Sequence, residues 1–350
     1  MPTTSDHRPA EDLGPAHDPG PDVARARLEA EAVDEAATEP LRAAGGHLVR
    51  VGTASWTDPT MTAAGVFYPS DAGSAEERLQ FYASRFPVVE VDATYYALPA
   101  ERTSQLWVDR TPPDFTFDIK AHALMTGQGT ETKRLPKAIR EALPEDQAAK
   151  SRIYAKDMPG EVQDEVWRIF RDGLAPLAQK NQLGSILLQY PKWVFPSNEN
   201  RALIDDAAER LAPWKVAVEF RNGSWLNEKN IERTSRFLAE RNIPFVMVDE
   251  PQGFKSSVPP ETLVTSSELA LVRFHGRNAD TWEKKGITPA ERFRYLYSKD
   301  ELLEWLPRIK AAAGEAKEVH LMFNNCYANY GTTNAREIAA LLADIEAGED

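Results

Sequence analysis

Eight short apolar runs punctuate this chain, and each ends in polar or charged residues: Leu48–Trp56, Val88–Tyr95, Phe115–His122, Ser185–Gln189, Val216–Trp225, Phe245–Glu250, Leu269–Arg277 and Val319–Asn325. A parallel strand buried on both faces reads as nearly continuous apolar residues. These runs do so in their first halves and then turn polar. Eight such strands predict an α/β fold, a single closed (β/α)8 TIM-type barrel with its chemistry at the carboxyl ends of the strands. A doubly wound open sheet is the rival. It does not require polar groups at the ends of all eight strands.

Helical periods lie between the runs. Ser74 with Glu77 three residues on has the spacing of a capping box, and Leu79, Phe81, Tyr82 and Phe86 form the buried stripe of the helix that follows. Further helices are predicted over Glu101–Asp109, Asp164–Gln179, Glu199–Leu211, Glu228–Arg241, Asp300–Ala313 and Asn334–Ala347. The stretch Pro251–Ser267 holds three prolines and no helical period, so the sixth helix is predicted to be missing or vestigial. Ala123–Gln163 has no clear strand and is too long for an ordinary barrel loop. It reads as a loop insertion after strand three, either a functional lid or a solvated elaboration.

Residues 1–46 are rich in Pro, Ala, Asp and Glu and nearly lack aromatic and β-branched residues. Such a segment predicts a disordered acidic tail with transient helix over Val23–Glu39, preceding a barrel domain of residues 47–350. The tail supplies −6 of the formal net charge of −13, which leaves −7 to the body. That balance disfavours a broad surface for duplex nucleic acid. The single cysteine, Cys326, precludes an intramolecular disulfide and fits a reducing compartment. It reads as a packed thiol. With no signal-like start and no membrane-length apolar run, the expectation is a cytoplasmic protein without membrane contact.

Alternate residues of a barrel strand point inward. By that rule Glu90 shares a side with Asp92, Asp118 with Lys120 and His122, Glu219 with Arg221, and Arg273 with His275 and Arg277. Acids and bases thus converge on one end. Glu90 and Glu219 are candidates for general acid and base, with His275 as a third catalytic group. Arg221 and Arg273 are candidates to clamp a carboxylate or phosphate. Trp56 and Tyr95 are candidates to stack on substrate, among Tyr96, Trp225, Trp282 and Tyr327. Asp92, Lys120, Arg277 and Asn325 complete the binding set, and Gly276 would let a backbone amide approach phosphate. An internal ion-pair network that only braces the barrel mouth is the competing reading.

No metal or cofactor is expected. Only His122 and His275 of the six histidines fall at the catalytic end, so zinc is poorly supported. Magnesium on Asp92, Glu219 or Asp249 has no spacing to demand it. Nucleotide-binding glycine loops, serine-nucleophile elbows and paired-histidine metalloprotease motifs do not occur.

The runs Val51–Trp56, Phe67–Pro69, Val89–Tyr96, Arg110–Pro112, Phe115–Lys120, Ala217–Arg221, Val272–Arg277 and Phe323–Asn325 resemble those of the YecE-like family, domain of unknown function seventy-two. The likeness runs from about Val49 to Ala340. It implies a TIM-type barrel and a pocket containing Ser55, Trp56, Glu90, Asp92, Tyr95, Lys120, Glu219, Arg221, Arg273, His275 and Asn325. It names no reaction. The family barrel is similar to endonuclease-IV-like and xylose-isomerase-like barrels, which implies nucleic acid as one partner class. The histidine-poor mouth departs from the zinc endonuclease pattern.

Two functions follow as expectations. The first is an enzyme using acid/base chemistry, hydrolytic or proton-transferring, on a small anionic or polyhydroxylated substrate. The second is a non-catalytic nucleic-acid-binding module with the insertion as a flap.

Overall fold

The computed structural model describes residues 20–30, 39–63 and 66–348. Eight parallel strands form the barrel: β1 Leu48–Ala54, β2 Val88–Val91, β3 Thr116–Lys120, β4 Leu183–Tyr190, β5 Val216–Phe220, β6 Val246–Asp249, β7 Ala270–Phe274 and β8 Glu318–Phe323. Their order around the wall is β5-β4-β3-β2-β1-β8-β7-β6. One parallel bridge, Val218 to Phe245, joins β5 to β6 and nearly closes the ring. The predicted barrel is therefore the observed one.

The helices follow from their patterns. Ser74 and Glu77 form the predicted capping box at the start of Ala75–Ala83, satisfying two backbone donors reciprocally. That helix buries Tyr82, whose hydroxyl accepts from the Thr53 amide at 2.9 Å and so pins helix to strand. The 20-residue helix Gly160–Gln179 starts four residues before its predicted start. It lies against helix Glu101–Asp109. Gly173 permits the approach, because a Cβ there would sit 2.2 Å from the Pro99 carbonyl oxygen. Residues 251–267 carry no helix, as their prolines require.

Two regions differ from expectation. The insertion does contain strand: Thr130–Glu131 pairs antiparallel with Arg152–Ile153. Two short helices, Lys137–Ala142 and Glu145–Ala148, lie between them. Leu135, Ile139, Leu143 and Ile153 bury into the apolar core, which is why the segment is ordered. Of the predicted tail, residues 1–19 and 31–38 lie outside the described residues. Within it, Pro21–Ala30 is a helix docked on the C-terminal helix Tyr330–Gly348. Ala24 is buried there, and Arg27 binds Glu337 through Nε and Nη2 at 2.8 Å each. Among the described residues no helix is long and apolar enough to cross a membrane.

Candidate active site at the barrel mouth

Side chains from strands that are not neighbours can meet only across the barrel interior. Two such meetings occur, one above the other. At the lower level, toward the strand starts, Asp118 on β3 binds His320 on β8 at 2.7 Å and Ser185 on β4 at 2.8 Å. Gly184 makes room, because a Cβ would stand 2.5 Å from the Asp118 carboxylate. Asp118 thus sits below the mouth and away from the site expected to hold it with Lys120 and His122. His122 caps the turn Ala123–Thr126 instead.

At the upper level, Arg273 on β7 reaches both carboxylates of interest. Its Nε and Nη2 donate to Glu90 on β2 at 2.8 and 2.5 Å, and its Nη1 donates to Glu219 on β5 at 2.5 Å. All three residues are 0% exposed. Burial of so many charges is tolerable because geometry pairs them: a guanidinium presents parallel donors that match a carboxylate. Arg273 was a candidate substrate clamp. Its donors are committed to protein carboxylates, and no solvent reaches it.

The layer above is more open. Glu219 also accepts from Gln189 at 2.8 Å and forms an ion pair with Arg221, whose Nε lies 2.7 Å away. Arg221 donates from Nη1 to Glu250 at 2.9 Å and stands 3.0 Å from His275 Nε2. Its guanidinium lies over the Trp282 ring at 5.1 Å. His275 Nδ1 meets the Asn324 amide at 2.9 Å. The same ring's Nε2 stands 3.2 Å from Glu219 Oε1, so Arg221 and Glu219 meet at one ring nitrogen. Arg221 retains 16% side-chain exposure. On the β2–β3 side, Lys120 pairs with Asp92 at 3.1 Å, with 14% and 27% side-chain exposure. The Lys120 ammonium sits 5.1 Å from the centre of the Tyr95 ring, and Tyr95 donates to Gln128 at 2.8 Å.

These environments separate the protonation states. Burial pushes Glu90 up to about 7, outweighing Arg273, and the nearby Asp92 charge adds to the effect. Burial also works against Glu219, but Arg221 and Arg273 hold it well below the ordinary carboxylate range. Burial opposes Asp92 too, and Lys120 and Arg273 keep it low. Burial raises Glu250 to about 8 despite Arg221 and the Val258 amide. His275 falls to about 3, through burial first and the Arg221 charge second, so its imidazole is neutral at physiological pH.

A cavity of about 350 Å³ opens beside this cluster, lined among others by Asp249, Glu250, Gln252, Arg277, Glu304 and Arg308. Arg277 crosses it, donating to Asp249 at 2.7 Å and to Glu304 at 2.8 Å. Asp249 also accepts from Tyr297 at 2.9 Å and Trp305 at 2.5 Å. Among the described residues, no group of three or more His, Cys, Asp or Glu could hold a metal ion.

Glu90, Glu219, Arg221, Arg273 and His275 therefore meet, with Asp92, Lys120 and Tyr95 at the rim and Arg277 at the cavity. Two candidates do not join them. Trp56 packs edge-on against Trp107 and Phe117, outside the strand wall, where apolar partners bury it. Asn325 donates to the Tyr295 carbonyl and to Asn334 at 2.9 Å each and fastens a loop. The Gly276 amide, expected to face phosphate, is taken by the Tyr297 hydroxyl at 2.8 Å. Glu250 and Gln189 escape the sequence reading, although the period-two rule reaches both. From His320 it gives Met322 and Asn324, which passes over Asn325.

A family model described as "Protein of unknown function DUF72" matches residues 50–348. The chain belongs to the DUF72 family. The UPF0759 protein YunF of Bacillus subtilis (strain 168) is 30% identical over 302 residues, covering 85% of this chain and 96% of YunF. A DUF72 family protein of Thermotoga maritima MSB8 superposes with a TM-score of 0.66 at 29% identity, covering 85% of this chain and 100% of that one. One from Enterococcus faecalis V583 gives 0.65 at 26% identity, over 85% and 98%. This DUF72 chain shares the barrel of those structures, and the family description assigns no reaction.

Proposed function

We propose that this DUF72 chain is an enzyme performing acid/base chemistry, hydrolytic or proton-transferring, on a small anionic or polyhydroxylated molecule at the barrel mouth. One observation carries the reading: Glu250 lines the cavity and is joined through Arg221 to Glu219. One carboxyl is neutral at neutral pH and the other ionised. Two carboxyls kept in opposite states are the arrangement that acid/base catalysis needs. Glu250 would give a proton to substrate in the cavity. Arg308, which lines the cavity, would hold the substrate's anionic or hydroxyl groups, while Arg221, committed to Glu219, Glu250 and His275, would position Glu250. Glu250 would regain its proton from solvent entering the cavity, while Glu90, fully buried on Arg273, takes no part in the transfer. His275, neutral and buried, would position Arg221 and take no proton itself.

The test begins with native mass spectrometry of the purified protein for a co-purifying small molecule. Turnover of chromogenic p-nitrophenyl glycosides and carboxylic esters is then compared in wild type, Glu250→Gln and Arg221→Ala. Turnover that falls by about 100-fold or more in both variants supports the proposal. Turnover equal in all three proteins, or none by wild type and no bound molecule, sinks it.

A further inference from the structure

The insertion after β3 builds a second cavity, of about 430 Å³, that shares no lining residue with the mouth cluster. Its wall carries four cations, Lys133, Arg140, Lys150 and Arg152, and one carboxylate, Glu131. Glu131 is occupied by Lys133 at 3.1 Å and by Arg134 at 3.4 Å. The other three cations reach only neutral oxygens or none. Lys150 donates to the Gln147 side chain at 2.7 Å, and Arg152 to the Gly129 carbonyl at 2.7 Å. Arg140 has no side-chain partner among the described residues.

The body of this chain is acidic, and Arg168, Arg210, Arg221, Arg236, Arg241, Arg273 and Arg277 all bind carboxylates. Cations gathered without counter-charge repel one another, and an anion between them removes the repulsion. The local fold also holds them in place. Pairing of Glu131 with Arg152 across the short ladder fixes one side. Thr132 donates to the Lys150 carbonyl at 2.5 Å and fixes the next. Buried Ile139 anchors the helix that carries Arg140.

We propose that this cavity is a binding site for a small phosphate-bearing anion. Guanidinium forks match tetrahedral oxyanions by two-point hydrogen bonding. Three cations without a carboxylate partner around one opening, Arg140, Lys150 and Arg152, favour a group with more than one negative charge, so a diphosphate fits better than a single phosphate. The Ser151 hydroxyl lies on the same wall and adds a donor.

Isothermal titration calorimetry on the full chain at low salt tests this, with inorganic pyrophosphate, orthophosphate and adenosine diphosphate as probes. Pyrophosphate should bind more tightly than orthophosphate and weaken as salt rises. Arg140→Ala should weaken it by about tenfold, the loss of one charge-assisted contact. Arg140→Glu should abolish it, and Arg140→Lys should restore most of it. Adenosine diphosphate binding more tightly than pyrophosphate identifies a nucleotide as the source, and the reverse identifies the free anion; both support the site. These side chains are exposed, so the variants should keep the wild-type circular dichroism and melting point. Heats absent for all three probes, or heats unchanged in Arg140→Glu, overturn the proposal. So does binding that Arg221→Ala abolishes and Arg140→Glu does not, which would place the anion at the mouth.

Discussion

Arg273 grips Glu90 from across the barrel, with two hydrogen bonds of 2.8 and 2.5 Å between strands that are not neighbours. The same guanidinium binds Glu219. A side chain in this position is a keystone for two buried carboxylates, and it decides which groups remain free for a ligand.

Replacing Arg273 with Met leaves both carboxylates in the interior without their shared counter-charge. Breaking a buried pair costs about 3–5 kcal/mol. Urea unfolding of Arg273→Met against wild type measures it. A loss under about 1 kcal/mol would show that solvent already reaches these carboxylates.

The lower pair makes stability depend on alkaline pH. Burial opposes the charge on His320, but Asp118 and Glu318 outweigh it and raise the ring to about 9. A folded pKa raised above the unfolded one gives stability that is complete below about 6.5 and lost as pH rises through 9. The contribution is about 3 kcal/mol. Urea midpoints from pH 6 to 10 should fall over this window in wild type, and the fall should disappear in Asp118→Asn. A profile with the same slope in both proteins counts against the pair.

Glu90 and Glu250 should carry protons at a pH where exposed carboxyls are ionised. Their infrared protonated-carboxyl signal should persist at pH 6 and disappear through about 7 and 8. Glu250→Gln should remove only the later step. Because both pKa values are raised in the folded state, these groups cost stability as pH rises from about 4.5 toward 8. A spectrum without protonated carboxyl at pH 6 rejects the assignment.

Trp56 and Asn325 should matter for stability and for nothing at the mouth. Trp56→Ala opens a hole beside Trp107 and Phe117 and should cost about 3–5 kcal/mol. Asn325→Ala strands the Asn334 and Tyr295 partners and should cost about 1–3 kcal/mol. Neither should alter the Glu250 infrared step. An altered step would return that residue to the site.

The docked N-terminal helix predicts a tie between the chain ends. Arg27→Ala removes a two-point pair with buried Glu337 and should cost about 1–2 kcal/mol. Hydrogen exchange should rise in helix Tyr330–Gly348. Unchanged exchange there would mean that the contact holds nothing in place.

Strand count, barrel class and the missing sixth helix were legible in the chain, because apolar runs and proline act locally on the backbone. So was the inward side of each strand, since period two is a property of the strand itself. That rule brought Glu90, Glu219, Arg221 and His275 to one end. What it lacked was height along the axis and the identity of each partner. Asp118 and Lys120 share a face, yet one binds His320 below and the other Asp92 at the rim. Arg273 looked like a clamp for substrate because nothing local revealed that two carboxylates from β2 and β5 would exhaust it. Trp56 looked like a platform because its burial depends on Trp107, 51 positions away. Pairing and desolvation are set by neighbours distant in sequence, so the closed barrel decided which charges are spent on one another and which still face a cavity.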